Sequence, residues 1–158
     1  MKKLVLESLE KKVKVKDLTK AVYKVLGQVE PLKAELVFLG TEEMHNLNRE
    51  TRGVDKTTDV LSYPSLEGIK GKILRKEDCP TELDGKYIFI GSIVLCLDKI
   101  KEQAKELGHT EEEERDYLII HGLMHLFGYD HMNNADKAEM REKEKAVIAI
   151  LDQKKKRK

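Results

Sequence analysis

The chain has 158 residues, with 30 Lys and Arg against 29 Asp and Glu and a formal net charge of +1. Charged residues make up 37%, against about 25% in an average soluble protein. The surface is therefore densely but evenly charged, and the overall balance lacks the basic excess that advertises a nucleic-acid binder. No apolar run approaches the ~18 residues that a membrane span requires, and Glu7 interrupts the start before a signal-peptide apolar region develops. One domain over 1–158 is expected, long enough to bury a core without staples. The only two cysteines, Cys79 and Cys96, form no metal or redox pair spacing, which makes a reducing cytoplasm the expected setting.

In chain order, residues 4–6 begin a strand, and Leu18, Val22 and Val25 place a helix over 15–25 that stops at Gly27. Residues 35–40 read as a buried strand. Thr41 is expected to cap a short helix through Arg49, with Met44 and Leu47 facing inward. Residues 59–63 are strand-like and end at Pro64. Residues 66–85, with three glycines, Pro80 and many charges, read as a long exposed loop or hairpin. Residues 87–97 form the strongest strand, and Asp98 opens a helix closed by Gly108. Thr110 and Glu113 make a capping box, and the acids Glu111 to Glu114 suit the positive end of a helix dipole. From Tyr117 to Phe127 that helix is apolar all round and should be buried; Gly128 ends it. A last helix over about 135–151 packs by Met140, Val147, Ile148 and Leu151, and the basic tail 154–158 is expected to fray.

Inside the buried helix stand His121 and His125, and His131 follows the Gly128 stop. Four helical residues rotate by about 400°, so the first two imidazoles share a face. A left-handed Gly128 can swing the third back toward them. Neighbouring imidazoles in an apolar place each need a partner, and a bound cation supplies one to all. Three neutral histidines suit zinc, although nickel, iron and copper accept the same donors. Three protein ligands leave a position open, the pattern of a catalytic site that activates water or polarises a phosphoryl or carbonyl oxygen. Asp130 is a candidate to orient one imidazole, or equally a turn aspartate bonded to its own backbone. The spacing matches that of metzincin proteases, but the position of their general-base glutamate is Gly122, which argues against peptide hydrolysis.

The run from His121 to His131, His-Gly-Leu-Met-His-Leu-Phe-Gly-Tyr-Asp-His, resembles the signature of the YbeY family of bacterial single-strand-specific endoribonucleases. Residues 47–64, containing Arg52 and leading into Asp59-Val60-Leu61-Ser62-Tyr63-Pro64, resemble the family's arginine motif. The resemblance implies an α+β fold: a central, mostly four-stranded mixed sheet with about five helices, and one Zn²⁺ per chain on His121, His125 and His131. It also implies that Arg52 is an essential cation, a role suited to a guanidinium that grips phosphate bidentately. The implied partners are single-stranded RNA, especially rRNA, and components of the small ribosomal subunit, with neither membrane nor DNA. The implied process is 16S rRNA 3′-end maturation and ribosome quality control. Two other readings stand beside it: a non-catalytic zinc-stabilised ribosome-assembly factor, and a metal-dependent hydrolase of peptides or esters. Three features depart from the pattern: Ser92 stands where many members carry aspartate, Thr57 replaces a common proline, and segment 66–85 is longer than usual. The sequence leaves open whether water or the RNA 2′-hydroxyl attacks, and it shows no obvious general base. The charge balance is uneven along the chain: residues 1–20 carry 7 basic and 3 acidic groups, residues 132–158 carry 9 and 5, and residues 111–131 carry 1 and 6.

Overall fold

The computed structural model describes residues 3–8 and 12–156. Strands β1 (Leu4–Glu7), β2 (Leu32–Leu39), β3 (Val60–Pro64), β4 (Leu83–Asp84) and β5 (Tyr87–Cys96) form one mixed sheet. Its order is β1-β2-β5-β3, parallel between the first three and antiparallel between β3 and β5, while the two-residue β4 adds a fifth strand beside the start of β5. The helices are α1 (Lys16–Val25), α2 (Thr41–Arg52), α3 (Leu97–Leu107), α4 (Glu111–Leu126) and α5 (Asn134–Lys156).

Side-chain alternation on β2 and β5 builds two apolar layers. Leu32, Ala34, Leu36, Ile93 and Leu95 join the larger core with α1, α4 and α5. Val37, Leu39, Val94 and Cys96 point the other way and meet Met44 of α2. Helix α4 is buried along most of its apolar stretch, with Ile119, Leu123, Met124 and Leu126 fully buried, but Tyr117, expected inside, is exposed. Its capping box is formed in both directions, Glu113 N–H to Thr110 Oγ1 at 3.0 Å and Thr110 N–H to Glu113 Oε1 at 2.9 Å.

Several elements differ from the sequence expectation. Thr41 is the first residue of α2 and not its cap; its N–H and hydroxyl both donate to Asp98 Oδ2, at 3.2 and 2.6 Å, so the carboxylate that terminates α2 comes from α3. These bonds hold the Asp98 carboxyl below its ordinary range. Helix α2 runs on to Arg52 because Gly53 closes it in the left-handed conformation, φ +68°. Lys154 to Lys156, expected to fray, are the last turn of α5, where Lys154 pairs with Asp17 at 3.3 Å; residues 157 and 158 lie outside the described residues. Segment 66–85 is tied down. Ile69, Leu74 and Cys79 are buried, and the Gln28 amide donates to Lys72 O and accepts from Leu74 N–H, both at 2.9 Å.

Close packing of α4 on β5 depends on two glycines. At Gly122 a Cβ would lie 3.0 Å from Ile93, so the helix approaches the sheet where a side chain would hold it off. Gly91 follows a bulge at which β2 skips Ile90, has φ +135°, and offers a Cβ only 2.3 Å from Tyr63 O. Replacing Gly91 by alanine should cost about 3 kcal/mol, strain and overpacking together. Gly85→Ala serves as comparison, since its φ of +60° comes with nothing within 4 Å. It should cost about 1 kcal/mol, and urea unfolding of the two variants checks the difference.

Candidate metal centre

Helix α4 presents His121 and His125 one turn apart, and the chain then reverses at Gly128 with φ +94°. A Cβ at this residue would lie 2.8 Å from Lys70 N, so the reversal is also braced by the first part of segment 66–85. The reversal brings His131 back to the pair. Ring centroids are 4.7 Å apart for His121 and His125, 5.1 Å for His125 and His131, and 5.7 Å for His121 and His131. One ring nitrogen from each lies within 4.8 Å of the others. His45 and His109 lie elsewhere, paired with Asp55 and Glu114 respectively, each at 2.8 Å.

The hydrogen bonds at the back of this cluster fix where its protons are. His125 Nδ1 lies 3.0 Å from the carbonyl oxygen of Tyr129. A carbonyl only accepts, so Nδ1 carries the proton and Nε2 is a bare lone pair in the neutral ring. His121 Nδ1 lies 2.7 Å from Glu144 Oε2, and an ionised carboxylate imposes the same tautomer. The two Nε2 atoms are 3.2 Å apart. With both rings neutral they are two acceptors facing each other without a hydrogen between them. Around a tetrahedral ion with bonds of about 2.0–2.1 Å, ligand nitrogens stand about 3.3–3.4 Å apart. The donor set therefore fits a metal ion, and it satisfies nitrogens that otherwise repel. Burial first, and then the neighbouring His121 and His131 rings, push the His125 pKa down, which keeps its lone pair available.

Glu144 is the site residue that the sequence reading missed. It sits on α5, is 6% exposed, and touches the ring of His121 from behind. The signal was a carboxylate on the stripe formed by Met140, Glu144 and Val147, all three buried, within an otherwise charged helix. Asp130 makes the bond of a turn aspartate, its Oδ1 accepting from the N–H of His131 at 2.8 Å. The imidazole partners that the structure places are Glu144 and Tyr129 O.

Arg52 reaches the same region from the opposite face of the sheet. From the last turn of α2 its guanidinium stands 5.3 Å over the Tyr63 ring and donates to the carbonyl of Ser62. The Tyr63 hydroxyl is in turn 2.7 Å from Thr51 Oγ1. Arg52, the edge of β3 and the three histidines line one cleft of about 590 Å³. Asp59 lines it too, held by Val60 N–H at 2.8 Å and by Gln103 Nε2 at 3.2 Å. Gln103 also donates to the buried Glu114 at 2.6 Å. Among the described residues, the lysines and arginines of the two basic ends do not line this cleft. Lys14, Lys16, Lys154 and Lys155 line a separate groove of about 620 Å³ together with Asp17, Glu112, Asp116 and Asp152. Ser92 lies opposite Tyr63 and Glu35 in the sheet register, on the face away from α4 and the histidines.

Two measurements test this geometry. Glu144→Ala should weaken metal affinity about 10–100-fold, read by competition with a chromophoric chelator, because the His121 ring loses the group that orients it. In the metal-free protein the folded His125 binds a proton less readily than the unfolded ring, whose ordinary value is 6.5. Its contribution to stability is whole above that value and is lost as pH falls below it, so urea midpoints should drop as pH is lowered through and below 6.5.

Comparison with known proteins identifies the family. The profile of the family described as Endoribonuclease YbeY matches residues 2–152. The chain is 39% identical over 127 residues to Endoribonuclease YbeY of Clostridium botulinum (strain Alaska E43), covering 77% of this chain and 76% of the relative. It is also 39% identical over 148 residues to the protein of that name from Clostridium perfringens (strain SM101), covering 86% and 88%. The solution structure of TM1509 from Thermotoga maritima superposes with a TM-score of 0.58 at 24% identity, covering 99% of this chain and 93% of that one, and shows the same fold. The histidine cluster, the arginine that shares its cleft, and the match over nearly the whole length agree: the chain belongs to the YbeY family of endoribonucleases.

Proposed function

We propose that this protein is a zinc-dependent, single-strand-specific endoribonuclease that acts on rRNA, chiefly at the 3′ end of 16S rRNA, and in ribosome quality control. The observation that carries this reading is one cleft holding both an electron-rich trio of imidazoles and a pre-oriented guanidinium. His121, His125 and His131 would hold the zinc, which supplies Lewis-acid polarisation of a phosphoryl oxygen. The chain's own groups do the positioning. Glu144 and the Tyr129 carbonyl keep the protons of His121 and His125 on Nδ1, leaving Nε2 to the metal. Arg52 spends one N–H on Ser62 O and stacks on Tyr63, so its remaining N–H groups are already oriented when charge builds on the phosphoryl oxygens.

The peptide alternative meets a physical obstacle at β3. An extended peptide would bind by adding a strand to this edge. Asp59 O accepts from Cys96 N–H at 2.9 Å and Ser65 N–H donates to Ile90 O at 3.0 Å, so residues 59, 61, 63 and 65 bond to β5. Val60, Ser62 and Pro64 therefore turn their backbone groups outward. The Val60 N–H is taken by Asp59, the Ser62 carbonyl by Arg52, and Pro64 has no N–H. Such an edge is blunted against strand addition. Gly122, at the position of the metzincin base, faces Ile93 in the sheet and not the cleft. Among the described residues no helix is long and apolar enough to cross a membrane. We place the protein in the cytoplasm, with small-subunit components as its neighbours and no DNA substrate.

Arg52→Ala should keep its metal and lose about 10²–10³-fold in cleavage of a single-stranded RNA. His121→Ala should lose both metal and cleavage, and elemental analysis of wild type should find one zinc per chain. Equal cleavage by wild type and both variants would reject the nuclease reading and leave the non-catalytic factor.

A further inference from the structure

The outward edge of β3 is blunted except at one donor. By the register above, the N–H of Ser62 points away from β5, on the side where Arg52 meets the carbonyl of the same residue. Among the described residues no hydrogen bond reaches this N–H. Ser62 is nevertheless only 8% exposed and lines the histidine cleft. Backbone donors that are withdrawn from water are almost always paired, because leaving one bare costs as much as a lost hydrogen bond. The rest of the edge shows that pairing rule at work, with Asp59 turned back onto Val60 N–H. A donor left open beside a fixed guanidinium, on the wall of the histidine cleft, is available to an acceptor from outside the chain, water or an anion.

We propose that the Ser62 N–H is a phosphoryl-oxygen donor, which with Arg52 forms a two-point anion seat on the edge of β3. The inference rests on the endoribonuclease reading and deepens it by naming the group that receives the scissile phosphate. The Ser62 peptide acts on both sides: its carbonyl fixes Arg52, and its N–H and the Arg52 fork then converge on a non-bridging oxygen. A backbone donor of this kind is rigid and needs no reorganisation as charge develops on that oxygen, the condition under which such donors contribute most. It also explains why Arg52 bonds to a strand carbonyl in place of a carboxylate. A carboxylate partner would neutralise the guanidinium and repel the phosphate, whereas a carbonyl positions it with its charge intact.

The test uses the zinc-loaded, ¹⁵N-labelled full chain, titrated first with inorganic phosphate and then with a 2′-O-methyl single-stranded oligonucleotide that cannot be cleaved through its 2′-oxygen. The Ser62 amide proton should shift downfield with both probes, and more than those of Leu61 and Tyr63, which are bonded to β5. An unmoved Ser62 amide overturns the proposal. A second arm compares Ser62→Pro with Ser62→Ala. Proline is tolerated at an edge position whose N–H faces outward, and it removes the donor that alanine keeps. With metal content and melting temperature matched, the proline variant should cleave about 10²-fold more slowly than the alanine variant; equal rates would reject the seat. If the proline variant does not fold, the titration of wild type decides alone. A protein whose Ser62 amide answers phosphate but which cuts no RNA would fail the nuclease reading and keep the anion seat. One that cuts RNA with an unmoved Ser62 amide would do the reverse.

Discussion

Two imidazole nitrogens stand 3.2 Å apart, each with its ring proton already committed to another acceptor. This is the constraint from which the local architecture follows. Bare lone pairs at that distance repel in an apolar helix, and a cation is a partner that serves both. Everything behind the pair serves to hold that arrangement. The Tyr129 carbonyl arrives because the chain reverses at Gly128, and that reversal is braced by Lys70, itself paired with Glu139 at 3.0 Å on α5. Glu144 reaches His121 from the same helix. One helix and one loop remote in sequence thus hold the histidine turn from behind.

The cleft is assembled across the sheet and not on one side of it. The histidines come from α4, which packs on β5 because Gly122 and Gly91 allow close approach. Arg52 comes from α2 on the other face and reaches over the exposed edge of β3 to the Ser62 carbonyl. An edge strand is ordinarily a liability because its free backbone invites another chain. Here the free backbone is put to use, with Asp59, Arg52 and Pro64 closing it to strands and leaving one donor facing the cleft. The buried Glu114, accepting from Gln103 at 2.6 Å and from His109 at 2.8 Å, ties α3 and α4 to the entrance of this strand.

The acids at the start of α4 show how one sequence feature divides into several roles. Glu113 closes the capping box, and its carboxyl is held below the ordinary range by the Thr110 N–H it accepts. Glu114 turns inward to the polar network. Glu112 lines the groove where the two basic ends of the chain meet. Lysines of those ends stand beside acids there, and among the described residues Arg52 is the one lysine or arginine lining the histidine cleft. The near-zero net charge is therefore distributed by the fold, and it does not describe the electrostatics of the site.

What the sequence by itself determined is what depends on short spacing. The four-residue step from His121 to His125, the left-handed stop at Gly128 and the Thr110–Glu113 box are local rules of helix geometry, and they survive folding unchanged. The motif around Arg52 was legible as well, but not its position, since a reach from one face of a sheet to the other leaves no periodic trace. Glu144 was hidden for the same reason: 23 residues separate it from His121, and only the packing of α5 on α4 joins them. Thr41 was misread because its cap partner, Asp98, lies 57 residues away. The tail at 154–156 was misread because Asp17, at the other end of the chain, pairs with Lys154 in the last turn of α5. Local geometry gathered the three histidines, whereas tertiary structure chose what orients them, what shares their cleft and which backbone donor was left open beside them.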